Sequence, residues 1–123
     1  MLLRFEGYDL DQRTQCGVGI FQIAYRLVRG DAEDYVQSEL RTCLDWFEQH
    51  LFGPDRIYRP GKSRYAISWF RSTATTYIAV ARRMVAAVDQ ADVLVGCRRT
   101  LEPGYIVYED RDQVVALPFT RSL

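Results

Sequence analysis

The chain has 123 residues, 48% hydrophobic and 26% charged, and its sixteen cationic and sixteen acidic side chains balance to zero. That suits one globular domain, 1–123, with a real core. No apolar run approaches a membrane span, and MLLRFEGYDLD lacks the apolar core of a secretory signal; Cys16, Cys43 and Cys97, an odd count without a CxxC pair, point to free thiols in a reducing cytoplasm.

Leu2–Glu6 alternates and predicts a short strand, with the polar residues 7–15 as a loop. Gly17–Val28 fits either period, but Gly17, Ile20, Phe21, Ala24, Leu27 and Val28 follow a helical stripe that Thr14 can cap, so a helix is expected. Asp31–Leu51 is the clearest helix. Asp31 suits the N-cap, Val36, Leu40, Cys43, Leu44, Phe47 and Leu51 form one stripe, and Gly53-Pro54 ends it. Residues 55–64 are an Arg/Lys-rich loop. Tyr65–Phe70 (YAISWF) reads as a strand that is apolar on both faces. Ser72 or Thr73 then caps a helix to about Val88, with Ala74, Tyr77, Ile78, Ala81, Met84, Val85 and Val88 inward and Arg82 and Arg83 in solvent.

Val93–Cys97 is the next strand. A strand, helix and strand at this spacing predict a βαβ unit if the two strands share a sheet in parallel. Pro103-Gly104 marks a turn, and Tyr105–Tyr108 and Val114–Leu117 form a hairpin around the charged tip Glu109-Asp110-Arg111-Asp112. Both hairpin strands are apolar on both faces, which predicts that both are covered. The expected fold is α+β: a mixed, mainly antiparallel sheet of about five strands with three helices, in the order β-α-α-β-α-β-β-β. Such strands need two covers. Either the helices divide between the faces, or a second copy buries one of them.

Charge is unevenly spread. Residues 1–52 carry five Arg against nine acids, and residues 53–108 carry nine Arg or Lys against four acids. The overall balance disfavours a general nucleic-acid coat protein but leaves room for a local anion site. Arg56, Arg59, Lys62 and Arg64 beside Trp69, with Tyr105 as a further aromatic, are the candidate ligand-binding residues. Guanidinium groups interleaved with aromatic rings hold phosphate-bearing or aromatic ligands by charge and stacking. Gly61-Lys62-Ser63 looks like the end of a P-loop, but Arg56 stands where the first glycine belongs and a strand follows instead of a helix.

One histidine, scattered cysteines and the absence of ligand spacing exclude a recognisable metal site, and nothing calls for a cofactor. Glu109, Asp110 and Asp112 lack the glycine and distal glutamate of a calcium loop. An enzyme would need at least two of His50, Cys97, Glu102 and Glu109 to converge in one pocket.

The strand Ala66–Phe70 and the ending Pro103–Phe119 (PGYIVYEDRDQVVALPF) resemble small bacterial proteins that carry AISWF, a helix and PGYIVYEDxxQVVAxPF, of the kind borne on mobile gene cassettes. The resemblance spans residues 66–119. It implies a bacterial, soluble, stand-alone protein and transfers no activity. The sequence thus predicts a cytoplasmic, non-enzymatic binding or interaction protein that forms a homodimer. Its alternatives are an anion or nucleotide binder through residues 56–71 and a small-molecule enzyme with acid–base residues in the sheet cleft.

Overall fold

Strand β1 (Leu2–Leu10) carries most of the sheet. The computed structural model describes residues 1–10, 16–51 and 66–119. Along one edge, β1 pairs antiparallel with β4 (Val95–Thr100), from Leu2↔Thr100 to Gly7↔Val95. Its other edge is divided. β3 (Ile67–Arg71) takes the beginning through Leu2↔Arg71 and Leu3↔Phe70, and β2 (Gly17–Gly19) takes the end through Glu6↔Gly19 and Leu10↔Gly17. β6 (Gln113–Leu117) then pairs antiparallel with β3, and β5 (Tyr105–Glu109) with β6.

Helices α1 (Ile20–Val28), α2 (Asp34–His50) and α3 (Thr75–Gln90) complete an α+β fold with three helices and a mainly antiparallel sheet of six strands. The order is β-β-α-α-β-α-β-β-β. β3 and β4 both run antiparallel to β1 and therefore parallel to each other, with β1 between them. The expected βαβ unit is present in split form.

Several element bounds differ from the sequence reading. Gly17–Gly19 is a strand, and the helix starts only at Ile20. Gly17 lies against β1 so closely that a Cβ there would sit 2.5 Å from the Gly7 carbonyl oxygen. Strand pairing at such close approach overrides helical periodicity. β1 continues to Leu10, where a loop was expected from Gly7. α2 begins at Asp34 after Glu33 instead of Asp31, and α3 follows Ala74 instead of Ser72 or Thr73; neither start has a side-chain cap. Thr14 and Gly53-Pro54 lie outside the described residues. α3 closes on Asp92 at φ 62, where the Val93 N–H reaches the Val88 carbonyl and the Asp92 N–H reaches that of Asp89. This is a Schellman ending with aspartate in the place usually taken by glycine.

The helices do not divide between the two faces of the sheet. Leu40, Cys43, Phe47, Ala81, Met84 and Val88 of α2 and α3 join Ile23 and Ala24 of α1 and sheet residues Leu3, Phe5 and Phe70 in one core. The opposite face carries a second cluster of Leu2, Ile67, Trp69 and Val114, already buried in the single chain, with Cys16 packed against it. A second copy is therefore not needed to cover that face. Cys43, inside the main core, has its thiol pushed up to about 11 by burial, with Glu39 adding to the rise and Arg83 opposing it.

The divided edge of β1 is tied together by Arg4. Its guanidinium donates to the Gly17 carbonyl of β2 (3.1 Å) and the Ser68 carbonyl of β3 (3.4 Å), and its Nε donates to Glu6 (2.9 Å). The Arg4 and Glu6 side chains are only 12% and 14% exposed. Removing one partner of so covered a pair leaves the other charge without compensation.

Arg4→Leu is therefore expected to cost about 3 kcal/mol in urea unfolding. A loss below ~1 kcal/mol would place Arg4 among ordinary surface residues. Alkylation of the native protein is expected to label the exposed Cys97 and spare Cys43 until denaturant is added, as read by peptide mass mapping. Native labelling of Cys43 would contradict the core described above.

Candidate functional site

Of the predicted binding residues, Arg56, Arg59, Lys62 and Arg64 lie outside the described residues. Trp69 is a core residue, 3% exposed, on the face away from the helices. The Arg98 guanidinium lies 5.7 Å from its ring centre, and its indole N–H has no acceptor among the described residues. Tyr105 stands on β5, its ring edge-on to Phe119 at 4.9 Å. β6 separates the strands of Trp69 and Tyr105, so the two do not form one site.

The acid–base candidates do not converge either. His50 stacks on Trp46 at 4.3 Å with Nδ1 2.7 Å from the Trp46 carbonyl oxygen, and its own carbonyl accepts from the Tyr77 hydroxyl. Cys97 is on β4, at the opposite side of the sheet from β5, where Glu109 pairs with Arg71 at 2.9 Å. The Glu102 backbone N–H donates to Thr100 Oγ1. Among the described residues no hydrogen bond or ion pair joins any two of the four, and no group of three or more His, Cys, Asp or Glu could hold a metal ion.

The charged hairpin tip is built to hold a turn. Asp110 Oδ1 accepts from the backbone N–H groups of Asp112 (2.8 Å) and Gln113 (2.9 Å). Its Oδ2 accepts from the Tyr108 hydroxyl (2.9 Å) and the Gln113 amide (3.2 Å). Burial alone would raise the Asp110 carboxyl, but these four donors together hold it below its ordinary value. Arg71 clamps the tip from β3, donating to the Asp110 carbonyl at 2.8 Å and to Glu109. Both Asp110 oxygens are thus engaged inside the hairpin.

What the hairpin does present is an edge. β6 is buried along Gln113–Ala116, but β5 is open, which corrects the expectation that both strands are covered. Tyr105, Ile106 and Val107 are 64%, 52% and 46% exposed. Leu101 and Phe119 nearby in sequence are exposed too. β5 pairs only with β6 among the described residues, so one row of its N–H and C=O groups faces outward. A bulge falls between Ile106 and Tyr108, which pair with the successive residues Ala116 and Val115. Gly104 makes the entry to this strand possible: its φ is 127, and a Cβ would run into the Leu117 carbonyl oxygen.

The other edge strand is different. β4 carries Arg98 and Arg99 in its middle, and edge cations disfavour pairing with a further strand. Among the described residues the sheet therefore has one edge strand that carries charge and one that is apolar, with its bulge at Val107. No helix of the described residues is long and apolar enough to cross a membrane. The α+β fold and its open strand define the class as far as geometry goes. No family model, curated protein or solved structure matches the chain.

Asp110→Asn keeps the shape of the tip but removes the charge that four donors converge on. It is expected to lower stability at neutral pH by on the order of 1–2 kcal/mol. A carboxyl held below its unfolded value stabilises the fold above that value and loses its contribution as pH falls through the folded one. The difference between wild type and variant should therefore be full above pH ~4 and close at lower pH, as measured by chemical denaturation at several pH values. A constant difference down to the acid limit would show that the charge of Asp110 does not support the hairpin.

Proposed function

We propose that the protein is a small non-enzymatic interaction protein that works through β5, and that the partner of this strand is a second copy of the chain. The observation that carries the reading is the exposed apolar run Tyr105–Val107 on β5, a strand that pairs only with β6 among the described residues, on a sheet whose other edge strand carries arginines. Exposed edges of this kind take up additional strands by backbone pairing.

The strand is suited to itself. A two-fold axis at Val107 sets Tyr105 opposite Glu109 and Ile106 opposite Tyr108, so no like charges meet. Self-complementarity is the condition for a closed two-fold dimer. Glu109 already has Arg71 as counter-charge. The acceptor carboxylate and a tyrosine hydroxyl would then stand side by side across the new ladder.

Magnitudes decide how tight such a dimer is. Burying three half-exposed side chains contributes about 3–5 kcal/mol, and each backbone hydrogen bond adds roughly 1 kcal/mol. Association costs at least ~4 kcal/mol in lost freedom. The balance favours a weak, concentration-dependent dimer over a permanent one, in keeping with the small area of an edge contact.

Sedimentation equilibrium tests this. Wild type is expected to pass from monomer to dimer between roughly ten micromolar and millimolar concentration, and Ile106→Lys to remain monomeric with an unchanged circular dichroism spectrum. A wild type that stays monomeric throughout, or an Ile106→Lys variant that dimerises like wild type, would overturn the reading.

A further inference from the structure

A second place on the molecule has the make-up of a ligand site, and it lies beside the protected edge instead of the open one. A cleft of about 430 Å³ runs between the start of α3 and the β1–β4 ladder. Its apolar wall is Leu3, Ile78 and Ala79, and its cationic wall is Arg82 and Arg99. The fold brings these together in two ways. Ile78, Ala79 and Arg82 recur at the helical spacing that puts them on one side of α3, one turn after Thr75. Arg99 stands directly opposite Leu3 in the β1–β4 register and so shares its face.

The two arginines are the informative part. Four neighbouring cations of the sheet and α3 have acids: Arg4 and Arg98 have Glu6, Arg71 has Glu109, and Arg83 has Glu39. The side chains of Arg82 and Arg99 make no ion pair or hydrogen bond with any described residue, and no described acid lines the cleft. The Arg82 guanidinium rests over the Phe5 ring at 5.5 Å, which leaves its N–H edge available. Two guanidinium groups at one concave site, with no counter-charge, favour an anion with planar or tetrahedral oxygens. The hydroxyls of Ser72 and Thr75 add neutral donors at the same cleft.

We infer that this cleft binds a small amphipathic oxyanion, a carboxylate or phosphate monoester on a short apolar body. The guanidinium groups take the head, and Leu3, Ile78 and Ala79 take the body. The volume falls within the range of small-molecule sites. The site is independent of β5 and does not rest on dimer formation.

Two-dimensional NMR titration of the full chain tests it, with octanoate, octyl phosphate, octanol and inorganic phosphate as probes. Octanoate or octyl phosphate is expected to shift the amides of residues 72–82 and 99 at millimolar concentration, and the tighter of the two identifies the head group. Octanol and inorganic phosphate, each lacking one half of the ligand, are expected to bind more weakly. The double variant Arg82→Gln/Arg99→Gln should lose roughly tenfold or more in affinity with its spectrum otherwise preserved, since neither side chain has an ion pair or hydrogen bond with a described residue and Arg82 gives up only its contact with the Phe5 ring. The inference is overturned if octanol binds there as tightly as octanoate, if the double variant binds octanoate like wild type, or if neither anion shifts these amides.

Discussion

The sheet depends on one guanidinium. β1 has two edges and three partners, so β2 and β3 must share an edge and part company along it. Where paired strands separate, backbone carbonyls lose their acceptor role, and a covered carbonyl without a donor is costly. Arg4 stands at that fork and serves both sides, Gly17 of β2 and Ser68 of β3, while Glu6 offsets its charge. The planar guanidinium spreads its N–H groups over three nitrogens and so spans acceptors on two strands and Glu6, whereas the three donors of lysine sit on one nitrogen. Arg98 approaches Glu6 from β4 at 3.6 Å, so the ion pair is tied to the far side of the sheet as well.

The fork determines where the rest of the surface lies. With β4 on one side of β1 and β3 and β6 on the other, the chain ends its sheet in β5. Three helices pack one face and a smaller apolar cluster lies on the other, so neither face asks for a second copy. Among the described residues, β4 and β5 each pair with one strand only. Their chemistry differs: arginines along β4, tyrosine, isoleucine and valine along β5. The same β4 arginines that blunt one edge, Arg99 in particular, also give the neighbouring cleft its charge. On the two proposals made above, one strand would discourage protein pairing and attract small anions, and the opposite strand would do the reverse.

The main elements were legible where one residue pattern maps onto one environment. The α2 stripe Val36, Leu40, Cys43, Leu44 and Phe47 is buried as its period requires. Pro103-Gly104 announced a turn, and Gly104, at φ 127, does make the entry to β5. Position within the sheet was not legible. YIVYE and QVVAL have similar local character, yet one is exposed and the other buried, because long-range pairing and not composition sets which strand is outermost. Gly17–Gly19 is too short to carry a period. Arg4 and Glu6 did not stand out within their strand, since nothing local signals a fork. At the level of sites, Trp69 looked available and is core, because an aromatic in a strand gives no sign of which face is filled. Arg82 and Arg99 belong to a helix and a strand that meet only in the fold, so neither stood out as half of a cleft.

We propose β5 as the working surface of the protein. Amide hydrogen exchange, followed residue by residue at several protein concentrations, tests it without any substitution. The outward amides of Tyr105–Glu109 are expected to exchange more slowly as concentration rises, while those of Val95–Thr100 stay unchanged. Exchange on β5 that is independent of concentration, or protection that grows on β4 instead, would contradict it.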